Sequence, residues 1–435
     1  MSRALHRLDA DTVDTPEDLH DVIDAIGPAI AVDALLVVGP FARVGSDLHE
    51  MVRRARARDD TYRSLLDALG RRHLAMLDAL PAAAQTPTLT AQIQDDTRDL
   101  ADTCHALRSG GDTDVARALA LSCGALWSSR IVAAHLRARG VEARWRDPHE
   151  VLRVGAPDAL RAAPADALAA PWREADEGCT VVPGGRALDT REAPVHLHPD
   201  GLDRSAVLLA VLLPARAVTL WHRDAPSRTD LSLAEASALA DVDPALGAPA
   251  LWAAALDAGI PVAYRNLTAD PPAALRREAP GPRPRRLRVR RDLSLIVVIG
   301  TALHEFPHAA RAMAQCLRDA DATPTLLMLA TPGEPLAALV AADRADAAVD
   351  RLRRSFLWED HARHAQDVRR IDDVALFRLL GLRAHADLYV AITRAGGEVV
   401  AVAQAPLGVS LSLVLRATDL DALEASIRDA LGAAP

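Results

Sequence analysis

Lysine is absent from this chain of 435 residues, and all 50 of its basic side chains are arginines. Mechanisms that need a lysine Schiff base or a phosphate-binding lysine of the Walker type are therefore excluded. Cysteine is also scarce: the four cysteines are widely spaced and form no CxxC pair. This usage fits a reducing cytoplasm, and it predicts neither a disulfide framework nor a zinc site.

Long apolar runs and basic patches are missing as well. No stretch of 18 or more apolar residues occurs, and no apolar block follows a basic segment near the N-terminus. We therefore expect neither a membrane span nor a secretory signal, and a cytoplasmic location. The net charge is −9. With this acidic balance and no sustained basic patch, we expect no nucleic-acid partner.

The sequence pattern up to about residue 275 alternates short apolar strands with helices. Ala31–Val38 is a predicted buried strand, and Asp114–Arg139 is the clearest helix. Leu48–Leu80 also has helical spacing, with Gly70 as a predicted break. Strands separated by helices of this length predict an α/β domain whose parallel sheet is covered on both faces.

The sequence pattern changes after residue 275. Residues 276–291 are rich in proline and arginine and lack periodicity, which predicts a linker between a domain at 1–275 and a second region at 292–435. This second region contains two successive β-rich cycles with helices. The repetition predicts a pair of small α+β units.

The order of elements and several residue strings resemble the aspartokinases, which join an amino-acid-kinase domain to tandem ACT domains. Ser122–Leu152 is similar to the S-x-G-E-x-x-S helix and following strand of that family. His196–Leu213 is similar to its G-R-G-G-S-D turn and helix. The resemblance implies an αβα sandwich with a mostly parallel sheet, followed by tandem α+β ACT-like domains.

The same resemblance has implications for ligands and partners. Mg-ATP would be the cofactor if the nucleotide site is retained, and an amino acid would be the effector. A partner enzyme and a homodimer through the ACT-like domains are also expected, because such units leave sheet edges and apolar faces to be covered. No metal site is expected beyond the magnesium that accompanies ATP.

The chemical signature of the family is largely replaced in this chain. Arg7 lies where the K-F-G-G-T-S loop has its lysine, and Asp9 and Ala10 replace the two glycines. Ala125 takes the place of the substrate-binding glutamate of S-x-G-E. These changes remove charged groups that the family uses for phosphate and substrate, and Asp9 adds a carboxylate that would repel phosphate.

The G-R-G-G-S-D turn is also altered. Pro199 replaces its arginine, Asp200 one glycine and Leu202 its serine, while Gly201 and Asp203 remain. From its local pattern, Asp203 is predicted to be a helix N-cap. The site candidates that the resemblance implies are Arg7 and Asp203 for catalysis, Ser46 for substrate, Trp221 and Arg223 for the nucleotide, and Thr301, His304 and His308 for an effector.

The losses predict an aspartokinase-like protein that does not phosphorylate aspartate and instead senses a ligand or regulates a partner in amino-acid metabolism. Removing one preorganised charge-stabilising donor typically costs about 10²–10³ in rate, and several are missing together. The alternative is an active ATP-dependent kinase of aspartate or of a related amino acid or carboxylate. Its site would be rebuilt with Arg7, Arg43 and Arg223, since arginine binds phosphate well.

One motif suggests a metal site that we do not expect. His304-Glu305-Phe306-Pro307-His308 spells HExxH, which binds zinc when it lies on a helix. Pro307 would sit inside that helix, where proline costs about 3 kcal/mol. Because of Pro307, we expect a loop here instead of a zinc-binding helix. The resemblance implies that this loop lies where an effector carboxylate meets a helix N-terminus.

Overall fold

The computed structural model describes residues 3–10, 13–30, 33–79, 87–111, 113–155, 172, 178–197, 200–222, 230–240, 243, 246–267, 272–278, 286–300, 303, 309–320, 322–328, 335–358, 365–380, 386–404 and 410–431. The chain forms two compact units. The first consists of Met1–Leu233 with Ala245–Glu278, and the second of Ala234–Pro244 with Ala279–Pro435.

The first unit is an α/β structure with eleven described strands. These are β1 (Ala4–Leu8), β2 (Ala34–Val38), β3 (Ala143–Trp145), β4 (Arg153–Val154), β5 (Cys179–Pro183), β6 (Arg186–Asp189), β7 (Pro194–His196), β8 (Ala217–His222), β9 (Leu231–Ser232), β10 (Val262–Asn266) and β11 (Ala273–Arg276). Its helices are α1 (Pro16–Ile30), α2 (Val44–Arg56), α3 (Tyr62–Asp78), α4 (Pro87–Arg108), α5 (Asp114–Ala138), α6 (Gly201–Leu212) and α8 (Ala253–Asp257). Helix α7 (Leu233–Leu239) begins at the last residue of Met1–Leu233 and otherwise belongs to the second unit.

The main sheet of this unit has the strand order β3-β5-β2-β1-β8-β10-β11-β9. All its neighbouring strands are parallel except β10 and β11. Every residue of β2 is buried, as in a parallel sheet with helices on both faces. The prediction of a mostly parallel, covered sheet is confirmed. The carboxyl ends of β1, β2 and β5 therefore lie side by side at one edge.

Helix α5 is the central helix of the first unit. Thr113 caps it by accepting a hydrogen bond from the amide of Ala116 at 3.1 Å, which satisfies one orphan donor of the first turn. The helix is long and apolar enough to cross a membrane, but 78% of its most apolar window is buried inside the fold. This burial is the pattern of a core helix.

Gly70 does not break the helical pattern as predicted. It lies inside α3, and the helical segment is instead interrupted between the end of α2 and the start of α3. A Cβ atom on Gly70 would lie 3.2 Å from Cγ2 of Thr97 on α4. The glycine therefore allows a close approach of two helices, and packing outweighs the low helix propensity of glycine.

The second unit has six described strands on one sheet. They are β12 (Arg286–Ile299), β13 (Leu326–Met328), β14 (Leu336–Ala341), β15 (Asp367–Leu380), β16 (Glu398–Gln404) and β17 (Ser410–Arg416). The helices after α7 are α9 (Ala309–Asp319), α10 (Ala345–Arg353), α11 (Ala386–Arg394) and α12 (Leu420–Leu431).

The strand order in this unit is β13-β14-β12-β15-β17-β16, and every pairing is antiparallel. Two separate apolar clusters lie on the sheet. One includes residues of α9 and α10, and the other includes residues of α11 and α12. Two α+β halves thus share one sheet through the long central strands β12 and β15, and the predicted tandem ACT-like units are confirmed.

Strand β12 begins inside the stretch predicted as a linker. Residues 286–291 belong to this strand, whereas residues 279–285 lie outside the described part of the chain. Leu287 lies in the second apolar cluster and Val289 packs against it. These apolar residues alternate with Arg286, Arg288 and Arg290, which is the period-2 pattern of a strand.

Candidate functional site

A cavity of about 460 Å³ opens in the first unit at the carboxyl ends of β1, β2 and β5. This edge of a parallel sheet is where α/β proteins usually bind ligands. Two groups of residues within this lining differ in burial. The inner end consists of Arg7, Asp9, Leu202, Asp203 and Gly247, and the outer end consists of Arg43, Ser46 and His49.

The inner end is built around a buried ion pair. Arg7 is the fourth residue of β1, and its Nε lies 2.8 Å from Oδ1 of Asp203 on α6. Its Nη2 lies 3.2 Å from Oδ2 of Asp9, just beyond the end of the strand. The side chains of Arg7 and Asp203 are only 5% and 4% exposed. The guanidinium is therefore held between two carboxylates of its own chain.

Asp203 does not cap α6 as predicted. The N-cap position belongs to Asp200, which has a left-handed backbone with φ 58° and makes no side-chain capping bond. Asp203 lies in the first turn, where its Oδ2 accepts a hydrogen bond of 2.7 Å from the amide of Ala248. The Asp203 carboxylate therefore binds the amide of Ala248, which is distant in sequence, and the guanidinium of Arg7, and it does not cap the helix.

Gly247 closes over this pair. It has a φ of +60°, and a Cβ atom there would lie 2.5 Å from Oδ2 of Asp203 and 2.9 Å from Nη2 of Arg7. A side chain at this position would displace one of the two charged groups. The loop at Gly247 therefore fits the ion pair only because this residue has no Cβ atom.

At the inner end, burial and the neighbouring charges act in opposite directions on the pKa values of the two partners. Burial opposes the charge on Arg7, but Asp203 and Asp9 together raise the pKa of its guanidinium above the ordinary value. Burial raises the pKa of the Asp203 carboxyl, while Arg7 and the amide of Ala248 act in the opposite direction. The positive charge of Arg7 is thus compensated within the chain.

Leu202 fills the space between two glycine turns. A Cβ on Gly184 would lie 2.7 Å from Cδ1 of Leu202, and a Cβ on Gly39 would lie 3.0 Å from its Cδ2. The two glycines follow β5 and β2, respectively. The leucine side chain therefore packs directly on the backbone at the carboxyl ends of two neighbouring strands.

The outer end has a different character. The side chain of Arg43 is 73% exposed, and its Nη2 lies 3.2 Å from Oδ2 of Asp14. Ser46 and His49 are exposed on the first turns of α2, where the Ser46 hydroxyl donates to the carbonyl of Arg43 at 2.7 Å. A guanidinium, a hydroxyl and an imidazole are therefore exposed at this end of the cavity.

Two further candidate positions, Ala125 and Trp221, differ in whether they line the cavity. Ala125, on α5, lines the cavity and carries no group that could hold an amine. Trp221 is not among the lining residues: it is 1% exposed, and its Nε1 donates to Nδ1 of His6 at 3.1 Å within the core. Its suggested role in nucleotide binding stays a prediction.

The remaining candidates lie outside the described residues. These are Arg223, Thr301, His304 and His308, together with Pro199 in the altered turn. Within the described part of the chain, no group of three or more His, Cys, Asp or Glu side chains could hold a metal ion. The structure thus brings together Arg7, Asp203 and Ser46 around one cavity, and their chemical roles stay predictions.

Sequence reasoning did not identify Gly247 and His49 as parts of the site, nor Leu202 as a packing element. The role of Gly247 follows from its φ of +60° and its close approach to Asp203 and Arg7, which are contacts between residues far apart in sequence. His49 lies one turn after Ser46 on α2, so helical spacing from that candidate could have found it. The contact of Leu202 with two glycines joins distant parts of the chain.

Comparisons with solved structures identify the fold. No family model matches the chain. Aspartokinase III of E. coli in its T-state, in complex with lysine and aspartate, superposes with a TM-score of 0.73 at 18% identity and 99% coverage of both chains. The R-state of that protein with aspartate and ADP gives 0.70 at 19% identity, with 99% of this chain and 100% of that chain covered. The fold is therefore that of a kinase-like α/β unit followed by tandem ACT-like units.

The sequence is similar to bifunctional aspartokinase/homoserine dehydrogenases of plants. The chain is 26% identical over 224 residues to a chloroplastic bifunctional aspartokinase/homoserine dehydrogenase 1 of Zea mays, covering 50% of this chain and 24% of the relative. A corresponding protein of Daucus carota is 24% identical over 459 residues, covering 96% and 49%. The chain thus spans between a quarter and a half of the length of these relatives. The resemblance of this chain to the aspartokinase family is confirmed.

Proposed function

We propose that this chain is a catalytically degenerate aspartokinase-like protein that acts as a ligand-sensing or regulatory partner protein in amino-acid metabolism. The observation that carries this proposal is the buried arrangement of Arg7 between Asp203 and Asp9. In phosphoryl transfer, a cation at this place would have to contact the transferred phosphate. Arg7 is instead engaged by two carboxylates of its own chain.

The charge balance supports the same conclusion. One guanidinium faces two carboxylates at the inner end, and Asp200 adds a third carboxylate to the cavity lining. A triphosphate that enters this end would meet net negative charge at short range, in a partly dehydrated setting where repulsion is strong. Ala125 offers no carboxylate for the amino group of aspartate, so both substrates lack a partner.

A direct assay of turnover tests this function. The purified chain is incubated with Mg-ATP and aspartate, and ADP release is followed with a coupled enzyme. We expect no release above a blank without protein, with and without aspartate. Release of ADP that requires both ATP and aspartate would contradict the proposal.

The sensing role rests on the second unit, which has the tandem α+β architecture. The neighbouring aspartokinase III is solved with lysine and aspartate. We propose that the second unit binds an amino acid, with Thr301, His304 and His308 as candidates for contact. Thermal unfolding with lysine or aspartate at millimolar concentration should raise the midpoint by a few degrees. Equal midpoints with both amino acids and with glycine would contradict amino-acid sensing.

We also propose that the protein is a cytoplasmic homodimer that associates through the second unit. Strands β13 and β16 are the two edges of its sheet, and unpaired edges favour addition of another strand. Tyr389, Val390 and Val402 are exposed apolar side chains on α11 and β16. Sedimentation equilibrium should give twice the 46.3 kDa chain mass. A single species of one chain mass at micromolar concentration would contradict the dimer.

The outer end of the cavity favours a second candidate function. Arg43, Ser46 and His49 are exposed there, and arginine is a good ligand for phosphate and carboxylate. An active kinase with a rebuilt site would use these groups for another amino acid or carboxylate. ATP-dependent ADP release with a panel of small carboxylic acids, lost in Arg43→Gln but retained in Arg98→Gln, would establish it.

A further inference from the structure

A second cavity, of about 440 Å³, lies beside the edge strand β3 of the first unit. It is bordered by the start of α4, the second half of α5 and β3, and it shares no described lining residue with the first cavity. Its volume is within the range of small-molecule sites. The polar and aromatic residues of its described lining are Thr88, Gln92, Arg130, Arg137, Arg144 and Trp145.

The charged residues of this described lining are all basic. Three of them are arginines, and no aspartate or glutamate is among the described lining residues. Helix α4 has no acidic residue in its first turn, so the positive end of its dipole is not offset there. The forked donors of arginine match the oxygens of carboxylates and phosphates. The second cavity therefore favours an anionic ligand.

Arg137 is the arginine of this lining whose charge is not compensated. It lies in the last turn of α5, and its Nη1 donates to the carbonyl of Ala143 at 3.1 Å. Among the described residues no carboxylate contacts it, and partial burial lowers the pKa of its guanidinium below the ordinary value. The hydrogen bond to Ala143 orients the side chain without neutralising it. The other donors of this guanidinium are therefore available to an anion.

Arg130 and Trp145 form a fixed wall of the same cavity. Arg130 pairs with Asp96 on α4, and its guanidinium carbon lies 4.9 Å from the centre of the Trp145 ring. The Nε1 of Trp145 donates to the Ser129 hydroxyl at 3.0 Å. These contacts order the wall before any ligand binds, which lowers the entropic cost of binding.

We propose that the second cavity binds a small anion that carries two or more negative charges and no cationic group. Arg137 is the main contact of this anion. Thr88 and Gln92, whose side chains make no hydrogen bond to other described residues, supply neutral donors. Amino acids and magnesium-bound nucleotides do not belong to this class, because their ammonium group or metal ion would meet guanidinium groups. Metal-free phosphate esters and polycarboxylates share the required chemistry.

The test is titration calorimetry with pyrophosphate and with citrate, in metal-free buffer at constant ionic strength. We expect the parent chain to bind at least one of them with a dissociation constant below about 1 mM. Arg137→Gln should lower the association constant at least about tenfold. Arg137→Lys retains the charge but not the fork, so it should lower it about threefold. Binding of one probe alone identifies phosphate or carboxylate as the chemistry that the cavity recognises.

The matched control is Arg139→Gln. Arg139 is two residues from Arg137, is not among the described lining residues, and pairs with Asp24 at 3.0 Å. This variant changes the net charge by the same amount, and it should alter the affinity by no more than about twofold because exposed charges are screened. An equal loss in Arg139→Gln and Arg137→Gln would mean that the probe responds to overall charge, which overturns the inference.

Two further results would overturn the inference. One is the absence of binding of either probe by the parent chain at millimolar concentration. The other is unchanged affinity in Arg137→Gln with a cooperative urea transition. If that variant does not unfold cooperatively, Arg144→Gln removes another arginine of the lining, on β3, and the same loss is expected. The ADP-release assay bears only on the proposed function, whereas these titrations bear only on the second cavity.

Discussion

The two ends of the cavity differ in how their charged groups are satisfied. At the inner end, Arg7 is 5% exposed and lies between two carboxylates, and Gly247 is packed over the pair. At the outer end, Arg43 is 73% exposed and makes one ion pair with Asp14. The same residue type is thus a structural element at one end and an accessible charge at the other. Position in the fold, rather than residue type, decides whether an arginine can bind a ligand.

The largest expected effect comes from breaking the inner pair. Arg7→Ala would leave Asp203 buried without its cation, and removal of one partner of a buried pair costs about 3–5 kcal/mol. Urea unfolding should reveal a loss of this size. Arg43→Gln is the control, with a loss of at most about 0.5 kcal/mol because exposed pairs contribute little. Equal losses in the two variants would contradict the contrast between the ends.

Acid should destabilise the first unit through two buried histidines, His6 and His73. Burial is the main cause that lowers the pKa of His6 and of His73 to about 4 in the fold. Histidines of the unfolded chain have pKa values near about 6.5. Between about pH 4 and about pH 6.5 the unfolded chain therefore binds more protons than the folded chain. The free energy of unfolding therefore falls as the pH drops from about 6.5 to about 4, by at most about 3 kcal/mol for each histidine.

Two variants sharpen this pH prediction. His6 precedes Arg7 on β1 and accepts a hydrogen bond from Trp221. His6→Gln should make the pH dependence of the unfolding free energy shallower by up to one proton. His73→Gln should also make it shallower by up to one proton. A steeper fall for His6→Gln than for the parent chain would refute the assignment.

Gly247→Ala should have an intermediate effect. The left-handed backbone and the 2.5 Å approach to Asp203 both oppose a Cβ atom. We expect a loss of about 2 kcal/mol in urea unfolding. Gly259→Ala provides the control, because Gly259 has a φ of +74° but a Cβ atom there would meet no other atom within 4 Å. The difference between the two variants measures the contact with the ion pair apart from backbone strain.

The smallest expected effect is at Ser46. Its hydroxyl bonds only to the exposed carbonyl of Arg43 among the described contacts. Ser46→Ala should therefore change the free energy of unfolding by about 0.5 kcal/mol or less. A loss above about 1.5 kcal/mol in the same urea experiment would mean that the outer end is as tightly built as the inner end.

Much of the fold could be predicted from periodicity, since the parallel sheet, helix α5 and the two α+β halves follow from apolar spacing. The site could be predicted only in part. A family resemblance points to Arg7 and Asp203, but their pairing with each other and with the Gly247 loop depends on contacts between residues far apart in sequence. The residues next to Asp203 in sequence predict a helix cap, because they contain no information about the distant Arg7 with which Asp203 pairs. The start of β12 does show the alternation of a strand, but only two apolar residues, Leu287 and Val289, carry it, and they directly follow a proline-rich stretch.

The most direct test of the closed inner end is calorimetric titration of the purified chain with Mg-ATP, with and without aspartate. An inner end closed by its own ion pair predicts no detectable heat of binding in either titration. Binding of Mg-ATP at micromolar affinity would contradict this account, and it would identify the cavity as a rebuilt nucleotide site.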